Sequence, residues 1–178
     1  MKKFPAIILL LAFTSISFIS CQKEFEDEIN TTTSTTPGYY IKGKKDGVAF
    51  NFTTMAQVTI TAIPPVTLVS ILGFKTPPEG LNLGINLMTG TLQPGTYRED
   101  NTGTDYSVGG VYNPNSTDYV YAAGIQTSVK PLVITILTKT ATEVTGTFSG
   151  AFYKQSLSGT FFSEFITITE GEFKLPIK

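Results

Sequence analysis

Leu81-Asn82-Leu83-Gly84-Ile85-Asn86-Leu87 decides the fold class. Apolar residues fill every odd position and small or polar residues every even one. Successive side chains of a strand point to opposite faces, so this period of two marks a strand with one buried and one wet face. The period recurs outward in both directions. Phe50 and Phe52 repeat it after Asp46-Gly47, a dipeptide suited to a tight hairpin turn. Val58, Ile60 and Ala62 alternate with threonines until Pro64-Pro65 stops the run. Residues 66–74 are largely apolar, the pattern of a strand covered on both faces. Tyr119, Tyr121 and Ala123 share one face further on. Leu132, Ile134 and Ile136 share another, with Val133, Thr135 and Leu137 opposite. Residues 144–153 and 157–169 read as a hairpin, and Phe173, Leu175 and Ile177 alternate to the end. No window past the N-terminal apolar run carries a helical stripe. The expected fold of residues 38–178 is therefore all-β, an antiparallel β-sandwich of about ten strands. A lipocalin-like meander barrel is the alternative. The runs at 66–74 and 132–137 favour the sandwich, because they read as covered on both sides.

Charge and composition narrow the chemistry. The chain carries 13 basic and 14 acidic residues. Three of the former and four of the latter precede residue 38, so the domain beyond is neutral. It has no long basic run, which argues against binding nucleic acid through its phosphates. Lys42-Gly43-Lys44-Lys45, beside Asp46-Gly47, reads as a solvated hairpin loop. With no histidine and one cysteine, Ser-His-Asp and Cys-His catalysis and ordinary zinc sites are excluded. No cofactor or metal is expected. Glu99, Asp100 and Asp105 flank a polar loop, but their spacing misses the calcium-loop pattern. Glu164, Glu170 and Glu172 are the candidate acids for a carboxylate-dependent hydrolase, although solvent-facing strand positions also account for them. Gly146-Thr147-Phe148 and Gly159-Thr160-Phe161 echo one another as two strands of one hairpin would. Tyr97, Tyr106, Tyr112, Tyr119 and Tyr121 fall among Gly, Asn and Ser, and rigid amphipathic rings on such loops make a contact surface for glycan or peptide.

The N-terminus speaks of location. Lys2 and Lys3 precede an apolar run over residues 4–13, and Ser20 sits just before Cys21. That order belongs to an export signal that is removed. The run is too short to span a bilayer, and Thr14, Ser15 and Ser17 dilute its end. A lone exported cysteine closes no internal disulfide. Phe18-Ile19-Ser20-Cys21 resembles the lipidation box of bacterial lipoproteins in the looser form common in Bacteroidota. The resemblance implies cleavage before Cys21 and acylation of it. A single acyl chain binds a membrane only marginally, and a lipoprotein head supplies several. Gln22-Lys23-Glu24-Phe25-Glu26-Asp27-Glu28 resembles the Bacteroidota lipoprotein export signal, carried here by Gln22, Lys23, Glu24, Glu26, Asp27 and Glu28. It implies the outer membrane, facing the cell exterior, with the periplasmic face as the alternative. The polar, Thr-rich stretch 30–37 completes a tether that has nothing to bury.

The expected organisation is a signal peptide over 1–20, a lipidated Cys21 with a tether over 21–37, and one domain over 38–178. That domain also resembles small Bacteroidota lipoproteins without an assigned activity. The shared marks are the Gly146-Thr147-Phe148-Ser149 strand, the Thr169-Glu170-Gly171-Glu172-Phe173 strand and the Gly95-Thr96-Tyr97 turn. The resulting expectation is a lipid-anchored, non-catalytic surface binding or accessory module. Its partners would be the membrane through Cys21 and a glycan, peptide or envelope protein. A structural or adhesin-type envelope subunit and a carboxylate-dependent hydrolase are the alternatives.

Overall fold

In the computed structural model, which describes residues 38–124 and 129–178, every pair of extended strands is antiparallel. Eleven strands follow one another: β1 (Tyr40–Lys45), β2 (Val48–Phe52), β3 (Thr54–Ile63), β4 (Val66–Thr76), β5 (Glu79–Leu87), β6 (Gly95–Arg98), β7 (Tyr106–Asn113), β8 (Tyr119–Ala123), β9 (Val133–Lys139), β10 (Glu143–Ser156) and β11 (Phe161–Pro176). The described residues contain no helix. The expected signal, Cys21 with Gln22, Lys23, Glu24, Glu26, Asp27 and Glu28, and the tether all lie outside the described residues.

One sheet holds all eleven strands, nine of them in the order β2-β1-β11-β10-β8-β7-β5-β4-β3, with β9 and β6 branching from β10. The long β10 makes a fork possible. Its second half, Tyr153–Ser156, pairs with β8, and its first half pairs with β9, which carries β6 in turn. The sheet coils until its ends nearly meet. Val58 of β3 bridges Ile177, and the Val58 carbonyl accepts a hydrogen bond from the Lys178 amide at 2.9 Å. The architecture is thus all-β and antiparallel as expected, and the near closure brings sandwich and barrel close together. The β1–β2 hairpin folds its apolar face onto β4, where Gly73 leaves room for Ile41 and Phe52.

A single core fills the inside. Phe52, Phe152, Phe173, Ile41, Ile71, Leu81, Leu83, Ile85 and Ile134 are all fully buried. Each such side chain contributes about 1.5–3 kcal/mol relative to exposure.

Several local expectations change. β4 alternates buried and half-buried residues, and Leu137 of β9 is 56% exposed, so neither run is covered on both faces. Apolar residues on the outer side of a coiled sheet account for the continuous hydrophobic look. Lys42-Gly43-Lys44-Lys45 is strand, not loop. The turn is Asp46-Gly47 alone, both residues having positive φ (48° and 83°), which is the twist-matched hairpin geometry. Phe173, Leu175 and Ile177 do not form a separate strand, since the first two belong to β11. Gly159 lies in the turn before β11, so only Gly146-Thr147-Phe148 is strand in full. β6 and β7 were not anticipated as strands.

Candidate functional site

Strand register carries two lysines onto the core face. Lys154 of β10 pairs with Tyr121 of β8, and Lys45 of β1 pairs with Ile168 of β11. Tyr121 and Ile168 are buried, and cross-strand partners share a face. At one end of the sheet, therefore, the apolar core passes into a layer of rings and charges.

Tyr112 stacks on Phe52 with ring centroids 6.5 Å apart and approaches Tyr121 at 6.3 Å. Tyr119 meets Tyr121 edge-on at 5.6 Å. The Lys45 ammonium lies 4.9 Å from the Tyr112 ring centroid, and that of Lys154 lies 4.4 Å from the Tyr119 centroid. Lys45 also donates to the Tyr112 hydroxyl at 3.1 Å, which donates to Glu79 at 3.3 Å. Glu164 takes one hydrogen bond from Tyr121 at 3.1 Å and another from Lys154 at 2.8 Å. The Tyr112 and Tyr121 phenols are thus each joined to a carboxylate, and each ammonium sits over a ring. Burial, reinforced by the bond to Glu164, pushes the Tyr121 phenol up to about 12. Burial also raises Tyr112, against the pull of Lys45. Hydrogen bonds from Lys154 and then Tyr121 hold Glu164 below the usual carboxylate range.

The five tyrosines do not gather in one place. Tyr106 and Tyr112 lie near opposite ends of β7, six residues or about 20 Å apart. Tyr97 and Tyr106 form their own edge-on pair at 5.2 Å, with the Tyr97 hydroxyl donating to the Gln93 carbonyl at 2.8 Å. Tyr112 and Tyr121 are only 4% and 8% exposed. Their rings are core, not contact surface, which corrects the picture of tyrosines presented on loops. Only the phenols reach the rim. Neither Lys45, Lys154, Glu79 nor Glu164 was foreseen as part of this layer, and the signal that could have found the lysines was their in-phase spacing with buried strand neighbours.

The acids disperse as well. Glu99 accepts from the Leu132 amide at 2.7 Å, and Asp100 is held by both ends of the Arg98 guanidinium at 2.8 and 2.9 Å. Among the described residues no three metal-ligating side chains converge. Glu164 belongs to the aromatic layer, whereas Glu170 and Glu172 are on the outer face. There a shallow open groove of about 430 Å³ is lined by Val133, Thr135, Thr147, Ser149, Glu170 and Glu172, among others. No family model matches this chain, and no curated protein or solved structure matches it either.

Proposed function

We propose that this chain is a lipid-anchored envelope lipoprotein whose all-β body is a non-catalytic binding or accessory module outside the outer membrane. The observation that carries the reading is that the described residues from 38 on form one compact all-β unit, which follows in sequence the stretch that resembles a lipoprotein head and tether. β1 starts at Tyr40, shortly after that stretch in the sequence. The rim acids Glu79 and Glu164 are engaged by tyrosine and lysine, an arrangement that supports a structural use of these carboxylates over a hydrolytic one.

Detergent phase partitioning and protease shaving of intact cells test the placement. The native chain is expected in the detergent phase, and Cys21→Ser in the aqueous phase. External protease should remove the body. A native chain in the aqueous phase would overturn the anchor, and a detergent-phase chain protected from protease would move it to the periplasmic face. Partner capture on the native chain tests the binding role, and turnover in a hydrolase screen would replace it.

One feature favours a structural or adhesin-type subunit as the second reading. β2 ends the strand order, and its Val48 is 69% exposed. Such an edge can pair with a further strand. Concentration-dependent growth in size during gel filtration would support that reading.

A further inference from the structure

Register across the fork lines up one polar side chain per strand over six strands. Thr96 of β6 faces Thr135 of β9, Thr135 faces Thr147 of β10, and Thr147 faces Glu172 of β11. Glu172 faces Lys42 of β1, which faces Asn51 of β2. All six side chains are exposed or half-exposed. At strand spacings near 4.8 Å the row runs for about 24 Å.

A bulge in β11 widens the polar face. The β10 ladder moves from Phe148↔Gly171 to Gly150↔Ile168, so β11 holds one extra residue there. The β1 ladder shifts over the same stretch, from Lys42↔Glu172 to Lys44↔Thr169. Glu170 takes a left-handed φ of 52° at this point. The extra residue turns Thr169 and Glu170 outward together, where strict alternation would bury one of them. The groove lies at this bulge, between the carboxylates of Glu170 and Glu172 and the hydroxyl-bearing Thr135, Thr147 and Ser149.

We infer that this face binds a neutral, hydroxyl-rich glycan chain laid across the strands. The inference rests on the binding-module reading and gives it a place and a ligand class. Charge comes first. Lys42 pairs with Glu172 at 2.9 Å and Lys44 with Glu170 at 2.8 Å, so the face attracts neither anion nor cation as a whole. Hydrogen-bonding capacity comes second. Threonine and serine hydroxyls both donate and accept, and each carboxylate keeps lone pairs beyond its lysine bond, which matches a ligand whose hydroxyls do both. Half-buried Val133 adds an apolar floor for the C–H side of a ring. The β9, β10 and β11 ladders beneath the groove are already paired on both sides, so the groove itself offers side chains and no free backbone edge for a peptide strand.

Affinity electrophoresis of the full chain in detergent tests this, with soluble β-glucan, xylan or galactomannan in the gel and alginate as the anionic control. At least one neutral polysaccharide should retard the chain, with little dependence on salt. Thr147→Val and Glu172→Gln should each weaken that binding about tenfold, the worth of one good hydrogen bond. Thr61→Val, on β3, should leave it unchanged, and melting curves verify that each variant folds. Absence of retardation by every neutral polysaccharide, retardation by alginate alone, or retardation indifferent to both groove variants overturns the assignment. Those outcomes leave membrane partitioning and partner capture untouched, so the broader proposal stands or falls separately.

Discussion

The aromatic end of the sheet and the outer face over β9, β10 and β11 use the same residue types for opposite ends. Both hold lysine–glutamate pairs near 2.8 Å. At the aromatic end the lysines lie on the core side and cover tyrosine rings, and the phenols bind the acids. On the outer face Lys42 and Glu172 are each about half exposed, at 47% and 50%, in one row with Thr147 and with the hydrogen-bonded pair Thr135 and Thr96. What separates the two is the side of the pleat. A lysine on the inner face is enlisted as a lid for the core, whereas Lys42 on the outer face lies 4.9 Å from the ring of the half-buried Tyr40 and keeps its pair with Glu172 in contact with solvent.

The sharpest way to break this contrast is to truncate one residue from each region. Tyr112→Ala empties a buried site against Phe52 and Tyr121, and should cost about 3–5 kcal/mol in denaturant unfolding. Thr147→Ala on the outer face should change stability by about 0.5 kcal/mol or less. Equal losses would mean that the outer face is structural too.

The bulge admits a narrower test. Gly171 faces inward, where an added Cβ would collide with the Phe148 carbonyl and ring. Gly171→Ala should therefore destabilise by about 1–3 kcal/mol. It should also reduce glycan retardation, because the bulge that turns Glu170 outward must reorganise. Unchanged unfolding would show that the bulge is soft.

These residues also show what a single sequence reveals. β5 was legible because Leu81, Leu83, Ile85 and Leu87 are large and the residues between them are small or polar. β10 and most of β11 were legible because Val144, Phe148 and Phe152, then Ile166, Ile168, Phe173 and Leu175, keep the apolar mark around their inward glycines. β7 was not, although its inward positions are regular: Tyr106, Val108, Gly110 and Tyr112. Gly110 occupies a core position where Phe152, Leu83 and Leu132 crowd so close that a Cβ would touch them. A glycine demanded by packing erases the hydrophobic mark that packing normally leaves. β1 was hidden by its partners: Lys42 and Lys44 are polar because Glu172 and Glu170 lie beside them. β6 is four residues long, too short for any period. The aromatic end was half legible, since the tyrosines stood out while the lysines that complete it looked like loop.

Alkaline titration sharpens the comparison further. The fold holds Tyr121 neutral to about pH 12, whereas an unfolded tyrosine ionises near its ordinary value of 10.0. Between these values the unfolded chain binds fewer protons than the native one, so stability falls as pH rises. The contribution is intact below pH 10, and Tyr112 acts in the same direction. Melting temperature should therefore decline above pH 10, and Tyr121→Phe should shallow that decline. An unchanged slope in the variant would place the alkaline sensitivity elsewhere.

The smallest expected effect separates the two lysine pairs themselves. Lys154 is 25% exposed and its ammonium covers the Tyr119 ring, so Lys154→Met removes a ring contact as well as a charge partner. Glu164 loses its main hydrogen bond in that variant, and its carboxyl should rise toward the ordinary range by NMR titration. Because the native value is depressed, the stability it carries is present at neutral pH and fades as pH drops through the native value. Lys154→Met should weaken that acid-range dependence and lower the melting temperature slightly. Lys42→Met should lower the melting temperature less, since its exposed pair gives little net gain, salt screens it, and its ring contact is with the half-buried Tyr40 outside the core-side layer. If the two variants melt alike, burial of the ammonium does not distinguish the regions, and the side of the pleat cannot be what assigns each lysine its role.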